Sequence, residues 1–351
     1  MPNKLHQDLE LRLRSSAVFR RPMFSVHVIA AIVSELSMQG IEASAALEGT
    51  GLAESQLEIH ATKSSYRQLD LVMRSALALS NDTAIALRAG RRLHVTSHGM
   101  FGYGLLTSAT YADALLFANQ FMRVPGPCCD IVVTHDGMMG TCRLDPVYWP
   151  DPATDTHRFA VELSLSGHLT AARDLVDEAF RFHRVAVDYA APPHAAFYEG
   201  LFECPILFSQ RSCEYEYHRN ISQRALADAR THAMAREICE EMLSEINRAS
   251  GIAADVRRLL IEQRGQYQSF EVIAEKLGLS PRSLWRRLAA EGTSYRKLVA
   301  ESRARLAIEY LRKTEMTHEE IGSRLGYSDV ANFRHAFVRW TGRNPSDFRG
   351  D

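Results

Sequence analysis

The chain has 351 residues, 46% of them hydrophobic and 24% charged. That length exceeds the roughly 250–300 residues at which a single core stops growing, so two or more domains are expected, and a composition near the globular average excludes wholesale disorder. No apolar run approaches the roughly 18–20 residues of a membrane span, and the first sixteen residues mix charges without a signal peptide's apolar stretch, so a cytoplasmic protein with no membrane partner is expected.

The six cysteines (Cys128, Cys129, Cys142, Cys204, Cys213, Cys239) contain no Cys-x-x-Cys, and vicinal Cys128–Cys129 lacks the second pair of a zinc site. They read as reduced structural thiols, and neither a metal nor a cofactor is expected. The net charge of −1 conceals an asymmetry: from Ala253 to Asp351 there are 18 Lys+Arg against 13 Asp+Glu, a net of +5, which leaves −6 for the rest. Such a division hints at a nucleic-acid-binding module joined to a domain of another kind, although a solvated helical surface carries similar charge.

In chain order, residues 1–22 show no sustained periodicity and read as a flexible tail. From Met23 to about Leu93 apolar residues recur at helical spacing, with Val28, Ile32 and Leu36 in one stripe and Leu69, Val72, Met73, Ala76 and Leu79 in another; Gly40 and Gly51 read as stops. The glycines of 99–104 lack the Gly-Lys-Ser/Thr ending of a phosphate loop, which leaves turn formation and close helix packing. A helix is expected over Tyr111–Arg123, and Asp136-Gly137 joins two strands, 130–135 and 138–145, as a hairpin. A helix follows near His157–Val176 and a half-buried strand at Phe182–Tyr189. A short helix runs from Pro192-Pro193 towards Phe202, and the last strands are Ile206–Phe208 and Cys213–His218. Residues 23–220 are thus expected to form an α+β domain. Ser222–Arg248 reads as one long helix ended at Gly251, the core of a 221–252 linker.

The segment Ser269–Leu288 is a helix, a glycine turn and a second helix. Ser269 caps the first, Gly278 supplies the turn, and Ser280 caps the second with Pro281 at its first position. The pattern returns at Thr317–Asp329, where Thr317 and Glu320 have capping-box spacing. Ile273, Leu277 and Gly278 match Ile321, Leu325 and Gly326 at an offset of 48, and Leu284 and Leu288 match Phe333 and Phe337 at 49. Between the two lies a helix over Ser294–Lys313, about 30 Å at 1.5 Å per residue. Successive major-groove segments on one face of B-DNA are about 34 Å apart, so the helix has the length to hold two reading heads in adjacent grooves.

Residues 253–351 resemble the double helix-turn-helix DNA-binding domain of the AraC/XylS family of bacterial transcription regulators. The matching elements are Ile273-Ala274-x-x-Leu277-Gly278, Ser280-x-x-x-Leu284, Arg303-x-x-x-Ala307-x-x-x-Leu311, Ile321-Gly322-x-x-Leu325-Gly326-Tyr327-Ser328-Asp329, Phe333-x-x-x-Phe337 and Gly342-x-x-Pro345-x-x-x-Arg349. A looser likeness, through Gly102-Tyr103, Leu105-Leu106, Ala109-Thr110, Ala114-Leu115 and Phe202-x-Cys204-Pro205-Ile206-x-Phe208, links 23–220 to the "arabinose-binding type" sensor domain of ornithine-utilisation and quorum-sensing regulators. The implied fold is an α+β N-terminal sensor domain followed by an all-α C-terminal domain with two helix-turn-helix motifs joined by a long helix.

If Leu284 and Leu288 face the core, the opposite stripe is Arg282, Trp285, Arg286 and Ala289. The resemblance makes Arg282, Trp285 and Arg286 groove-facing: arginine grips guanine O6/N7 and Trp285 contacts a thymine methyl or sugar, with burial of Trp285 in the core the competing reading. In the second motif Phe333 and Phe337 go inward and Val330, Ala331, Arg334 and His335 face the groove. The family more often has polar residues at Val330-Ala331 and arginine at His335, so hydrogen-bonded reading is weaker there and apolar contact with thymine stays open. Lys297, Arg303, Arg324, Arg339 and Arg343 are candidate phosphate contacts, with a solvated-surface role the alternative for each.

The expected function is therefore a sequence-specific, ligand-responsive transcriptional activator. Its expected partners are double-stranded promoter DNA, RNA polymerase, an unidentified small-molecule effector and a second copy of the chain. A ligand-independent regulator controlled by dimerisation alone is the alternative. No catalytic residue is expected, since there is no Gly-x-Ser-x-Gly elbow, no His-Glu-x-x-His helix, and no cysteine cluster of the zinc-held repair type.

Overall fold

The computed structural model describes residues 17–59, 61–219, 221, 227–262, 267–291, 293–341 and 343–348. The chain divides after Ile246 into two compact units.

The N-terminal unit opens with a helical turn, α1 (Ala17–Arg20). Residues 17–20 thus depart from the expected 1–22 tail, because the Phe19 ring is buried against Tyr148 at 5.1 Å; residues 21 and 22 are exposed, and 1–16 lie outside the described residues. A two-residue strand β1 (Phe24–Ser25) pairs antiparallel with β2 (Lys63–Ser64). Around them stand α2 (His27–Met38), α3 (Ala43–Ala46), α4 (Tyr66–Leu79), α5 (Ile85–Gly90), α6 (Gly99–Leu106) and α7 (Tyr111–Phe121). The glycines of α6 serve close packing: a Cβ on Gly102 would lie 1.8 Å from the Val95 carbonyl oxygen, and one on Gly104 would enter the Phe117 ring of α7.

The hairpin β3 (Cys129–Asp136) and β4 (Met139–Pro146) turns at Gly137, φ +57°. After α8 (Asp155–Leu175) come β5 (Arg184–Ala186), α9 (Ala195–Phe202), β6 (Ile206–Leu207) and β7 (Cys213–His218). The sheet order is β3-β4-β7-β5-β6, antiparallel except for β5 with β6. The expected strand at 182–189 shrinks to three residues, since only 184–186 pair with β7. Thr154 caps α8 by accepting from the His157 N–H, and most of its 21 residues are buried, so it serves as the central core helix. Buried charge on α8 is compensated: Glu162, 2% exposed, accepts from His194 and from Tyr198, each at 2.7 Å.

The helix expected at 222–248 is observed as α10 (Ala229–Ser250), residues 222–226 lying outside the described ones. Its first half packs on its own unit. His232 Nδ1 contacts the Gly104 carbonyl at 3.1 Å, Arg236 donates to Gln120 and covers the Phe117 and Phe121 rings, and Ala235 and Cys239 are fully buried.

The C-terminal unit begins within α10. Gly251, φ +83°, separates it from α11 (Ile252–Glu262). Then come α12 (Phe270–Lys276), α13 (Pro281–Ala290), α14 (Tyr295–Lys313), α15 (His318–Arg324) and α16 (Val330–Thr341). Ile252, Val256, Leu260, Ile273, Leu284, Leu288 and Leu298 form one buried cluster around the first motif. Ile321, Leu325, Phe333, Phe337 and Phe348 are buried around the second, with Ala307 and Leu311 of α14 buried as well.

Candidate nucleic-acid interface

Each motif is fixed by its own local chemistry. Ser269 Oγ accepts from the Val272 N–H, and Ser280 Oγ accepts from the Ser283 N–H at 3.2 Å with Pro281 at the first helical position. In the second motif Thr317 Oγ1 accepts from the Glu320 N–H at 3.2 Å while Glu320 accepts from the Thr317 N–H at 2.7 Å. Gly278 and Gly326 sit at φ +64° and +81°. Immediately after them, Leu279 N–H donates to the Ala274 carbonyl and Tyr327 N–H to the Gly322 carbonyl, each at 2.9 Å, the same bond 48 residues apart. Asp329 caps α16 by accepting from the Asn332 N–H at 2.7 Å, where Ser280 caps α13. The inserted residue therefore lies in the second turn, and both motifs present a capped helix.

On α13, Leu284 and Leu288 are buried, while Arg282, Trp285, Arg286 and Ala289 are exposed on the other side. Trp285 is 65% exposed, so it does not belong to the core. On α16, Phe333 and Phe337 are buried and Val330, Ala331, Arg334 and His335 are exposed. The two helices present Arg282, Arg286 and Arg334 as cations beside the apolar surface of Trp285, Val330 and Ala331, the combination that major-groove edges and thymine methyls accept.

The candidate phosphate contacts divide. Lys297 and Arg339 are exposed. Arg324 is exposed with its guanidinium 5.9 Å from the Tyr310 ring centre, and Arg343 pairs with Asp347 at 3.7 Å. Arg303 departs from the expectation: its guanidinium lies between the Tyr267 and Tyr327 rings, 5.2 and 5.1 Å from their centres, and Nε is buried. It ties the segment ahead of the first motif to the turn of the second while staying partly exposed.

The sequence held no warning of the Glu291 cap. Its carboxylate accepts from the Ile252 and Ala253 N–H groups at 2.6 and 2.9 Å, closing the start of α11 from 39 residues away. Nor did it indicate a cavity in the N-terminal unit, about 90 Å³, between α8, α7, α6 and the sheet. His27, His98 and His168 line it, from positions far apart in the chain. His27 Nε2 and His98 Nδ1 are 3.0 Å apart, and among the described residues Nδ1 of His168 and of His27 have no partner meeting hydrogen-bond geometry. Burial pushes all three imidazoles down, His27 to about 3 and His98 and His168 to about 4, with repulsion from His98 adding to the effect on the other two. A second cluster, His157, Asp188 and Cys213, is internally bonded: the His157 ring bridges the Trp149 carbonyl and Asp188, and the Cys213 thiol donates to Asp188.

A basic, twice-repeated, capped helix pair behind an α/β unit defines a helix-turn-helix transcription regulator. Residues 40–226 match the family described as the arabinose-binding domain of AraC transcription regulator, N-term, and residues 273–351 match a helix-turn-helix domain family. The chain is 31% identical over 336 residues to the ornithine utilization regulator of Pseudomonas aeruginosa, covering 94% of this chain and 97% of that one. It is 26% identical over 339 residues to the HTH-type transcriptional regulator Rv1395 of Mycobacterium tuberculosis, covering 95% and 97%. The crystal structure of the transcriptional regulator CdpR from P. aeruginosa aligns over 92% of this chain and 98% of that one, at 22% identity and TM-score 0.47. This chain belongs to the AraC family of DNA-binding transcription regulators.

Proposed function

We propose that this regulator reads two adjacent major-groove segments of promoter DNA with α13 and α16. The observation that carries the reading is the exposure of Arg282, Trp285 and Arg286 opposite buried Leu284 and Leu288, repeated by Arg334 and His335 opposite Phe333 and Phe337. Lys297, Arg324, Arg339 and Arg343 supply phosphate contacts, and Arg303 positions the motifs. Catalysis has no part in this function, and DNA as target places the protein in the cytoplasm.

The N-terminal unit senses an effector. Phe101 and Leu105 of α6, and Ala114, Leu115 and Ala118 of α7, line the cavity, while His232 and Arg236 of α10 rest on the same two helices. An occupant that shifts α6 or α7 thereby acts on α10, whose far end, Ser250, lies in the DNA-binding unit. Regulation requires only that the effector bind the DNA-competent state with a different affinity from the incompetent one. A homodimer that presents four motifs to two half-sites gains affinity through effective concentration, and the activator role follows from recruiting RNA polymerase beside it.

Selection of bound sequences from a random duplex pool by the full chain tests the reading. It predicts two preferred blocks per subunit, centred about one helical turn apart, roughly 10 bp. A single block, or no preference over random duplex, contradicts it.

A further inference from the structure

We propose that the cavity of the N-terminal unit binds a small monocarboxylic acid with an apolar body, its carboxyl group held at Nδ1 of the His168 imidazole. The inference rests on the reading that this unit senses an effector, and it assigns that effector a chemical class.

Among the described residues the lining is almost wholly apolar and includes no Lys, Arg, Asp or Glu. A diamine or a zwitterionic amino acid would find no counter-charge, and a sugar would leave most of its hydroxyls unpartnered. What the cavity does offer is imidazole nitrogen from three side chains of its lining. His27 comes from α2, His98 from the turn before α6 and His168 from the middle of α8, and no sequence proximity brings them together. In the His27–His98 contact one ring nitrogen donates and the other accepts, so the pair shares a single proton. Nδ1 of His168, without a partner among the described residues, is the complement that a carboxyl group satisfies.

The proton balance is simple. When the acid enters neutral, it keeps its proton and donates its O–H to an unprotonated imidazole nitrogen, because burial disfavours the imidazolium. When it enters as the anion, the bound carboxyl takes up one proton from the buffer, whose acid form is converted to its base. Other titratable groups do not compete. Asp174, which accepts from the Val95 N–H and contacts His94, favours charge on His98, and Tyr111, Tyr215 and Cys128 are kept protonated by burial. At about 90 Å³ the cavity has room for roughly six waters, or about 180 Å³ of liquid, the scale of a six-carbon acid.

Calorimetric titration of the full chain with hexanoate at pH 7, in two buffers of different ionisation enthalpy, tests this. Hexanoate should bind with net proton uptake, hexan-1-ol at least tenfold more weakly, and hexylamine not at all. His168→Gln should weaken hexanoate at least tenfold with an unchanged unfolding midpoint, and Ala118→Phe, which fills the cavity, should abolish binding. Hexanol matching hexanoate, binding that survives Ala118→Phe, or no saturation by 10 mM hexanoate overturns the proposal. Affinity for a selected duplex is measured on the same samples. Intact DNA binding without hexanoate binding removes the ligand class alone. Hexanoate that binds without changing duplex affinity supports the ligand class and removes the sensor reading.

Discussion

Replacing Glu291 tests whether a residue at the end of the first recognition helix holds the start of α11. Its two carboxylate oxygens accept from the Ile252 and Ala253 N–H groups at 2.6 and 2.9 Å, and those residues are 9% and 5% exposed, so water cannot fully replace the lost acceptor. Capping substitutions of this kind cost about 0.5–2 kcal/mol, and the two bonds here are charge-assisted, so about 1–2 kcal/mol is expected for Glu291→Ala. Glu291→Gln keeps one of the two acceptor oxygens and loses the second bond with the charge against the helix dipole, so its cost lies at the lower end, about 0.5–1 kcal/mol. At about 4–8 °C per kcal/mol for a unit of this size, melting of fragment 247–351 followed by far-UV circular dichroism should fall by about 4–16 °C for alanine and clearly less for glutamine. An alanine variant melting within about 2 °C of the parent, or a glutamine variant as damaged as alanine, would refute the capping argument.

Arg303→Ala should lower the stability of the C-terminal unit and weaken binding to all duplexes alike, with base preference unchanged, because the side chain packs between Tyr267 and Tyr327; a change in preferred sequence on selection would place it in the groove instead. The cavity histidines make the N-terminal unit acid-sensitive. Each imidazole falls from its ordinary 6.5 to about 3 or 4 on folding, so between about pH 4 and 6.5 the unfolded chain holds protons that the folded one does not. Stability is complete above about 6.5 and lost as pH falls through that window, and His98→Gln should flatten the dependence of the unfolding midpoint; an unchanged slope would contradict the burial of that ring.

The recognition motifs were legible because their determinants are local. Ser269, Ser280 and Thr317 each cap within three residues, Gly278 and Gly326 take the left-handed φ their turns need, and burial follows the 3.6-residue period of α13 and α16. The hairpin at Asp136-Gly137 was legible for the same reason. Contacts between distant segments left no such trace. The parallel pairing of β5 with β6, the sandwich around Arg303, the reach of Glu291 back to α11 and the meeting of His27 with His98 all depend on how whole elements pack. The apolar period of Ser222–Arg248 marked a helix, yet it could not tell that His232, Ala235 and Cys239 face their own domain.

The central claim, that α13 reads bases while neighbouring cations hold phosphate, is tested most directly by comparing Arg286→Ala with Lys297→Ala on a selected duplex and on its single-base variants across a salt series. Arg286→Ala should erase discrimination at one base position, worth about 1–3 kcal/mol, and leave the others intact. Lys297→Ala should weaken every duplex equally and reduce the salt slope by about one. An Arg286→Ala protein with unchanged affinity and unchanged base preference would contradict the account.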